Sequence, residues 1–460
     1  MPTDLDIAIL GSGCRGLWLA TEIVKLGWSV SWFQIHPPLP PLEKNNFVFD
    51  DRPWQVGPKI NNSHFINMAQ EFIDEVIKPK EQEMAIQVVT SSGPLELSGP
   101  ALGTSLKKFF PKTDKEILSY FEAIKQSGRA EKNQKILSQA TSKFFERPLS
   151  ERWCLEWLGG LRRSRAMGTQ EWVKKWEGDL LDPSSHFWLL DGSIEAVVER
   201  AMEWAQSKGV SIKRNAVISD IGVEGRKATG IETHGGGGFL KCKQIILACS
   251  YDAAIKSVPR FAKHIKPQVE NESEVYVWAR SGFYLKPGSK PAGLLEFSSF
   301  VMDPYMPLNG SNVGLLKWKE REKGDSLTVW CRIPYAELRR RSYLMNLTEE
   351  LEKYLGRLFP WFSRNLVAVF PFEEYFHSLD AISDDLAIVY DKKNKFKETH
   401  SHLKNVIQMG PETDRGLELL SQLATEYRLL KLLSKNRNKE LKRDRTLHPP
   451  RNGENMVQPK

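Results

Sequence analysis

The sequence predicts an α/β fold built from two domains, and three segments predict it. In residues 1–34, 186–260 and 386–434, short apolar runs of strand length alternate with glycine-containing turns and helical patterns. A chain of 460 residues with 41% apolar residues exceeds one ordinary core and has ample material for two. We therefore expect one discontinuous α/β domain (1–60, 186–260 and 386–434) and one interposed α+β domain (61–185 and 261–385).

The first segment has the order strand, glycine-rich turn, helix, strand. An apolar strand is predicted over 5–10, a helix over 17–26 ended by Gly27, and a second strand over 30–33. Between the first strand and the helix stands Gly-x-Gly-x-x-Gly, residues 11–16. In this context the motif is typical of a Rossmann-like dinucleotide-binding unit.

Each glycine of the motif has a physical reason. Gly11 permits the tight turn out of the strand, Gly13 lets a pyrophosphate approach the backbone, and Gly16 lets the helix pack closely on the sheet. The helix N-terminus presents free N–H groups and a positive dipole end to the phosphates. The predicted cofactor-binding residues of this loop are Gly11, Ser12, Gly13, Cys14, Arg15 and Gly16.

Gln34 ends the second strand, where a carboxylate usually accepts hydrogen bonds from the ribose hydroxyls. A glutamine still accepts through its amide oxygen, but without charge. No Arg or Lys follows at once, so a 2′-phosphate cofactor is not favoured.

The other segments complete the prediction. After Asp191-Gly192 we expect a helix over 195–208, a strand over 210–213, a hairpin-like stretch, and a buried strand over 244–249. Near the end, a strand over 405–409, a turn over 410–416 and a helix over 417–433 are predicted. Residues 61–80 and 103–180 are expected to be mostly helical, and 275–375 β-rich with a helix over 344–359.

The whole order resembles the flavin amine oxidase, protoporphyrinogen oxidase and phytoene desaturase superfamily, of which the chain would be a divergent member. The resemblance implies FAD as the cofactor, with an FAD-binding domain and a substrate domain. It also implies roles for six residues. The backbone of Val217 would meet the adenine side, Ala248 would lie below the cofactor, and Gly410, Glu412, Gly416 and Leu417 would bring a turn and a helix N-terminus to the flavin.

The chain departs from the pattern of the superfamily at several of these places. Gln34 stands for the expected Glu, and Gly410-Pro411-Glu412 for a Gly-Asp pair. Asp191 replaces one of two glycines. Three functions therefore stay open: an FAD-dependent oxidoreductase that transfers hydride from an amine or hydrophobic small molecule to flavin, a degenerate FAD-fold protein that acts as a binding or partner module, and an NAD(P)-dependent enzyme.

The sequence identifies no catalytic base. Lys317 or Lys319, on a predicted strand of the substrate domain, could face the flavin, although a surface lysine is the commoner case. His186 and His377 are equally open to an ordinary structural role.

Charge and cysteine content limit the partners. Residues 435–460 carry eight Lys or Arg and three acidic residues, a net charge of +5 out of +8, so the body is not strongly basic and nucleic-acid binding is not expected. The basic tail is either a solvated end or a peripheral contact with an anionic membrane. Five scattered cysteines, without a signal peptide or an 18-residue apolar run, predict no disulfide framework, no metal site and a cytoplasmic protein.

Overall fold

The structure is a computed structural model of the chain. It describes residues 4–36, 42–44, 47–49, 55–58, 64–83, 87–90, 93–96, 102–112, 114–115, 118–119, 186–190, 194–234, 238–249, 254–255, 258, 275–302, 313–337, 340–372, 388–390, 403–409, 422–423 and 425–435.

Strands dominate the described residues. In chain order they are β1 Leu5–Ser12, β2 Val30–His36, β3 Leu42–Lys44, β4 Phe47–Phe49, β5 Gln55–Pro58, β6 Pro79–Glu83, β7 Gln87–Thr90, β8 Gly93–Glu96, β9 His186–Leu190, β10 Ser211–Lys213, β11 Ile218–Glu224, β12 Lys227–Thr233, β13 Gly238–Ala248, β14 Val275–Leu285, β15 Phe297–Val301, β16 Val313–Lys319, β17 Asp325–Pro334, β18 Leu366–Phe370, β19 Ile388–Tyr390 and β20 Val406–Gln408.

The helices are fewer. They are α1 Leu17–Lys25, α2 His64–Phe72, α3 Leu102–Phe109, α4 Ile194–Ser207, α5 Arg341–Leu358 and α6 Phe362–Asn365, with a π-helix at Ile73–Ile77 and a 3₁₀ turn at Tyr335–Glu337. The described residues 422–423 and 425–435 are also helical, and we call them the C-terminal helix. None of the helices in the described ranges is long and apolar enough to span a membrane.

The three predicted segments meet in one parallel sheet. β1 lies between β2 and β13, β10 extends the sheet beside β2, and β20 pairs with β13, all in parallel. The first residues of β13 turn away from this ladder and form an antiparallel meander with β12 and β11. The predicted α/β class and the first strand, helix and second strand are confirmed.

Each face of the parallel sheet is covered, so its central strand is apolar on both sides. Ile7 and Ile9 point into a core shared with α1, α4 and the C-terminal helix. Ala8 and Leu10 point into a second core beneath the meander. The successive side chains of β1 thus alternate between two buried layers.

The domain boundary drawn from the sequence puts residues 64–77 in the substrate domain, whereas in the structure they pack on the parallel sheet. Phe72, Ile73 and Val76 of α2 and the π-helix are buried in the core that holds α1 and α4, on the parallel sheet. The segment is helical as predicted, but it ends at Lys78, whose φ of 48° lies in the left-handed region, and residues 79–83 form a strand instead of helix. The division of the chain into an FAD-binding and a substrate domain stays a proposal.

The second large element is an eight-stranded sheet in the order β18–β14–β17–β16–β15–β7–β8, with β19 paired to β14. The face that carries Phe283, Leu316 and Val329 packs against α5, and this core also buries Leu351 and Phe362. The predicted β-rich region is confirmed, and its predicted helix begins three residues earlier than expected, at Arg341.

Two smaller sheets complete the described strands. β9 is antiparallel to both β5 and β6, and β3 pairs with β4. Within the predicted helical stretch 103–180, the structure describes α3 and residues 110–112, 114–115 and 118–119, and the rest lies outside the described residues. The basic tail beyond residue 435 also lies outside them, so its predicted membrane contact stays a prediction.

Candidate functional site

The glycine-rich turn lies between β1 and α1, as predicted. Gly13 has a φ of 57° and Gly16 a φ of 82°, both in the left-handed region that favours glycine. A Cβ built on Gly13 would meet no heavy atom of the described residues within 4 Å. One side of the loop at Gly13 is therefore open, and the N–H of Gly13 donates no hydrogen bond to any described residue.

The register of the sheet places three predicted cofactor-binding residues side by side on neighbouring strands. Gly11 is the partner of Gln34 on one side and of Ala248 on the other. The carboxyl ends of parallel strands meet at one edge of a sheet, which is where open α/β folds bind their ligands. The first and second sequence segments thus converge at this edge.

Gly16 brings in the third segment. A Cβ at Gly16 would lie 2.9 Å from the Cβ of Ala248, 3.0 Å from Cγ2 of Ile9 and 3.6 Å from Cε of Met409. Met409 ends the strand region of β20, and its N–H donates to the carbonyl of Leu247 at 2.8 Å. Met409 therefore lies beside the loop. The turn predicted to touch the flavin, with Gly410, Glu412, Gly416 and Leu417, lies outside the described residues, and its contact with the flavin stays a prediction.

Gln34 is buried, and it faces the chain that leads into β11. Its side-chain Oε1 is 3.4 Å from the N–H of Asn215, and its carbonyl accepts from the N–H of Ala216 at 2.9 Å. Asn215 itself has a φ of 49°. Two residues on, the side chain of Val217 is 59% exposed, and its carbonyl accepts from the N–H of His234. Gln34 and Val217 thus lie at the same edge of the sheet.

Trp32 supports the loop from below. Its indole Nε1 donates to the carbonyl of Arg15 at 3.0 Å, and the side chain is fully buried. A Cβ at Gly11 would lie 2.3 Å from this indole nitrogen. The bond between Trp32 and Arg15 therefore needs glycine at position 11.

The sequence analysis missed the most buried carboxyl group of this region. Glu426, on the C-terminal helix, accepts from the N–H of Gly16 at 3.0 Å and from the N–H of Leu19 at 2.9 Å. Gln422, one turn earlier, donates to the same carboxyl at 3.0 Å and contacts the thiol of Cys14 at 3.9 Å. Two N–H groups at the start of α1 are thereby satisfied by a side chain 410 residues away in sequence.

A signal for Glu426 existed in the sequence. The C-terminal helix buries Leu423, Leu429, Leu430 and Leu433, and Glu426 lies on the same stripe at helical spacing. An acidic residue in the middle of an apolar face needs a polar partner when it is buried. Here the partner is the N-terminus of α1, where a negative charge is favoured.

Burial controls the acid–base properties of these groups. Burial raises the pKa of Glu426, and the hydrogen bonds from Gly16, Gln422 and Leu19 together with the charge of Arg15 offset only part of that rise. Burial, and next the neighbouring Glu426, raise the pKa of the Cys14 thiol to about 11. Cys14 is therefore an uncharged packing residue of the loop at neutral pH.

The side of the eight-stranded sheet opposite α5 carries polar side chains beside apolar ones such as Trp330 and Tyr284. Lys317 of β16 and Thr328 of β17 are cross-strand partners there, and the buried Thr328 hydroxyl has no hydrogen-bond partner among the described residues. Lys319 is the cross-strand partner of Ser326, whose buried hydroxyl likewise has no hydrogen-bond partner in the described part of the chain. That one of these lysines faces the flavin stays a prediction, and the side chains of His186 and His377 lie outside the described residues.

The sequence matches no protein-family model and no curated protein. Solved structures, in contrast, match over nearly the whole chain. An oxidoreductase from Methanosarcina mazei aligns with a TM-score of 0.54 and 12% identity, over 93% of this chain and 100% of that one. A putrescine oxidase bound to putrescine aligns with a TM-score of 0.56 and 13% identity, over 94% of this chain and 99% of that one. The chain thus has the fold of these two oxidoreductases, which confirms the predicted two-part α/β architecture.

Proposed function

We propose that the protein is an FAD-dependent oxidoreductase. The observation that carries this proposal is the open side of the loop at Gly13, at the edge of the sheet where Gly11, Gln34 and Ala248 come level. The fold shared with a putrescine oxidase and with an oxidoreductase from Methanosarcina mazei supports it. The substrate we propose is an amine or a hydrophobic small molecule.

The described residues fit a dinucleotide. A pyrophosphate needs backbone that it can approach closely, free N–H groups and a positive helix end. Gly13 leaves that approach open, its N–H has no partner among the described residues, and α1 begins four residues later. Residues 11–16 would hold the pyrophosphate, the amide oxygen of Gln34 would accept from the ribose, and the backbone of Val217 would border the adenine.

Bound flavin would supply the hydride acceptor. The chain's own residues would orient it. Trp32 fixes the carbonyl of Arg15, Glu426 fixes the N-terminus of α1, and Met409, which follows β20, lies beside Gly16. Three elements distant in sequence thus hold the loop in one conformation, which is the preorganisation that cofactor binding needs.

The visible spectrum of the purified protein, before and after FAD is added, tests the proposal. We expect flavin absorption bands that stay with the protein through gel filtration and bleach anaerobically with dithionite. Retained flavin would justify screening amines and apolar substrates for anaerobic bleaching of the bands. A folded, colourless protein that retains no added FAD would contradict the proposal.

A pair of aspartate variants places the site. Gly13→Asp puts a carboxylate into the open side of the loop, and we expect it to abolish FAD retention by charge repulsion. Gly225→Asp is the matched control, because Gly225 has nearly the same φ, 59°, and equally open space, but lies in the β11–β12 turn. Equal loss in both variants would mean that backbone strain, and not the position of the charge, removes FAD.

The alternative is a binding or partner module in which FAD is weak or absent. The observation that favours it is Gln34, an uncharged and buried residue whose amide oxygen already faces Asn215.

Hydrogen bonds to charged groups contribute about 1.5–3 kcal/mol against about 0.5–1.5 for neutral ones. The two ranges differ by about 1–1.5 kcal/mol, so Gln34→Glu should tighten FAD binding about 5- to 12-fold in a fluorescence titration, whereas the Gln34→Met variant should weaken it. Unchanged affinity in both would argue that the ribose does not bind at Gln34.

A further inference from the structure

The carboxyl of Glu426 and the glycine-rich loop share the same helix end. Its two oxygens accept from the N–H groups of Gly16 and Leu19, and its side chain is completely buried. Gly13, at the open side of the loop, is three residues from Gly16. A phosphate bound at the loop would therefore interact with the same positive helix N-terminus as the Glu426 carboxylate, from another side.

Few charged groups face this carboxyl from the described elements around it. Arg15, in the loop, attracts the carboxylate, and the Cys14 thiol is the other titratable group nearby. Gln422, on the same helix as Glu426, is neutral and donates to the carboxyl. The ionised form of Glu426 is thus held by Arg15, by three N–H donors and by the start of α1.

A bound pyrophosphate changes this balance. It brings two negative charges to the loop, and both repel a carboxylate at the same helix end. It also attracts the guanidinium of Arg15, a planar donor suited to phosphate. Because the Glu426 carboxyl and Arg15 are buried, solvent does not strongly screen the effect of a phosphate on either group. Both changes destabilise the carboxylate and favour the protonated, neutral acid.

On the basis of the proposed FAD binding, we infer that Glu426 takes up a proton when the pyrophosphate of FAD binds the loop, so that cofactor affinity falls as pH rises. The geometry that carries this inference is the direct contact of one buried carboxyl with Gly16 and Leu19. Burial has already raised the pKa of Glu426 in the free protein, and the bound diphosphate raises it further.

The sign follows from proton linkage. Below the pKa of Glu426 in the free protein the acid is already neutral, and affinity does not depend on pH. Between that pKa and the higher one in the complex, binding takes up a proton and the dissociation constant rises by up to about tenfold per pH unit. Above both values Glu426 is a carboxylate in both states, and affinity is again constant, at its weakest.

Titration calorimetry tests the inference directly. FAD binding is measured at one pH in buffers of different ionisation enthalpy, and the slope of the observed heat gives the number of protons taken up. ADP-ribose is the second probe, since it carries the same pyrophosphate diester without the flavin. We expect uptake of up to one proton with both probes in the wild-type protein, and none in Glu426→Gln. The matched control is Glu22→Gln, a glutamate of α1 that pairs with Lys25 and should leave proton uptake unchanged.

The outcomes separate the two proposals. Binding of FAD without proton uptake in the wild-type protein, or uptake that persists in Glu426→Gln, would overturn the inference and leave the proposed function standing. Failure of the folded protein to bind either probe would overturn both. If Glu426→Gln does not fold, infrared difference spectra of the wild-type protein decide: binding must increase the absorption of protonated carboxyl groups, and an unchanged carboxyl band would refute the inference.

Discussion

Gly16→Ala measures how tightly the helix, the sheet and the third segment are packed at the loop. The added methyl group would stand 2.9 Å from the Cβ of Ala248, closer than real Cβ atoms approach, and 3.0 Å from Cγ2 of Ile9, tighter than most such contacts. It would also hold an alanine at a φ of 82°. The substitution therefore carries two separate costs, one steric and one conformational.

The two costs can be estimated separately. The left-handed backbone costs a residue with a Cβ about 1–2 kcal/mol. Overpacking a dense core by one methyl group costs about 1–3 kcal/mol. We expect Gly16→Ala to lower the free energy of unfolding by about 2–5 kcal/mol. Adding Ala248→Gly removes the closest contact and should return most of the steric part, leaving about 1–2 kcal/mol from the backbone.

Urea unfolding, followed by the fluorescence of the buried tryptophans, measures these values. The control is Gly209→Ala, which also has positive φ, 92°, but whose Cβ would lie at an ordinary 3.5 Å from Cγ1 of Val24. Gly209→Ala should lower the free energy of unfolding only by the conformational cost of the left-handed backbone. The reasoning is refuted if Gly16→Ala costs no more than Gly209→Ala, or if Ala248→Gly restores nothing in the double variant.

Three further predictions concern single contacts. Trp32→Phe removes the donor to the buried carbonyl of Arg15 and should cost about 1–3 kcal/mol, seen as a lower urea midpoint. Cys14, buried and with its pKa raised to about 11, should react with a thiol reagent only in step with unfolding; rapid reaction of the native protein would contradict its placement. Burial raises the pKa of Asp6, but hydrogen bonds led by that from Lys243 bring it below its ordinary value. The stability that Asp6 contributes should therefore be present when the pH is above that ordinary value, and it should be lost as the pH falls. Asp6→Asn should make the free energy of unfolding less dependent on pH on the acid side.

The sequence predicted the parallel sheet because local rules and the fold agree there. Short apolar runs buried on both faces, a glycine turn of fixed spacing and a helix stop at Gly27 each depend on neighbours within about ten residues. The alignment of Gly11 with Gln34 and Ala248 follows from the strands once the sheet order is known. Those parts of the candidate site were therefore within reach of pattern reasoning.

The parts that were missed depend on contacts distant in sequence. Residues 64–77 have an amphipathic pattern, and such a pattern predicts a helix but not which sheet the helix covers. Glu426 lies 410 residues from Gly16, and its role is visible only when the C-terminal helix packs on α1. The partner of Glu426 could not be predicted, because the sequence around a single acidic residue on an apolar helix face does not indicate which group that residue binds.

The three glycines of the motif differ in how strongly they indicate a bound cofactor. The protein itself requires two of them: a Cβ at Gly11 would collide with Trp32, and one at Gly16 with Ala248. The packing of this protein would need those two glycines whether or not it binds a dinucleotide. Gly13 differs, since its Cβ would meet no described residue within 4 Å and only its φ of 57° favours glycine, as it does at Gly225 in an ordinary turn. The weight of the motif thus depends on what occupies the open side of Gly13, and the contrast between Gly13→Asp and Gly225→Asp is the comparison that separates a binding loop from a glycine turn kept for its backbone alone.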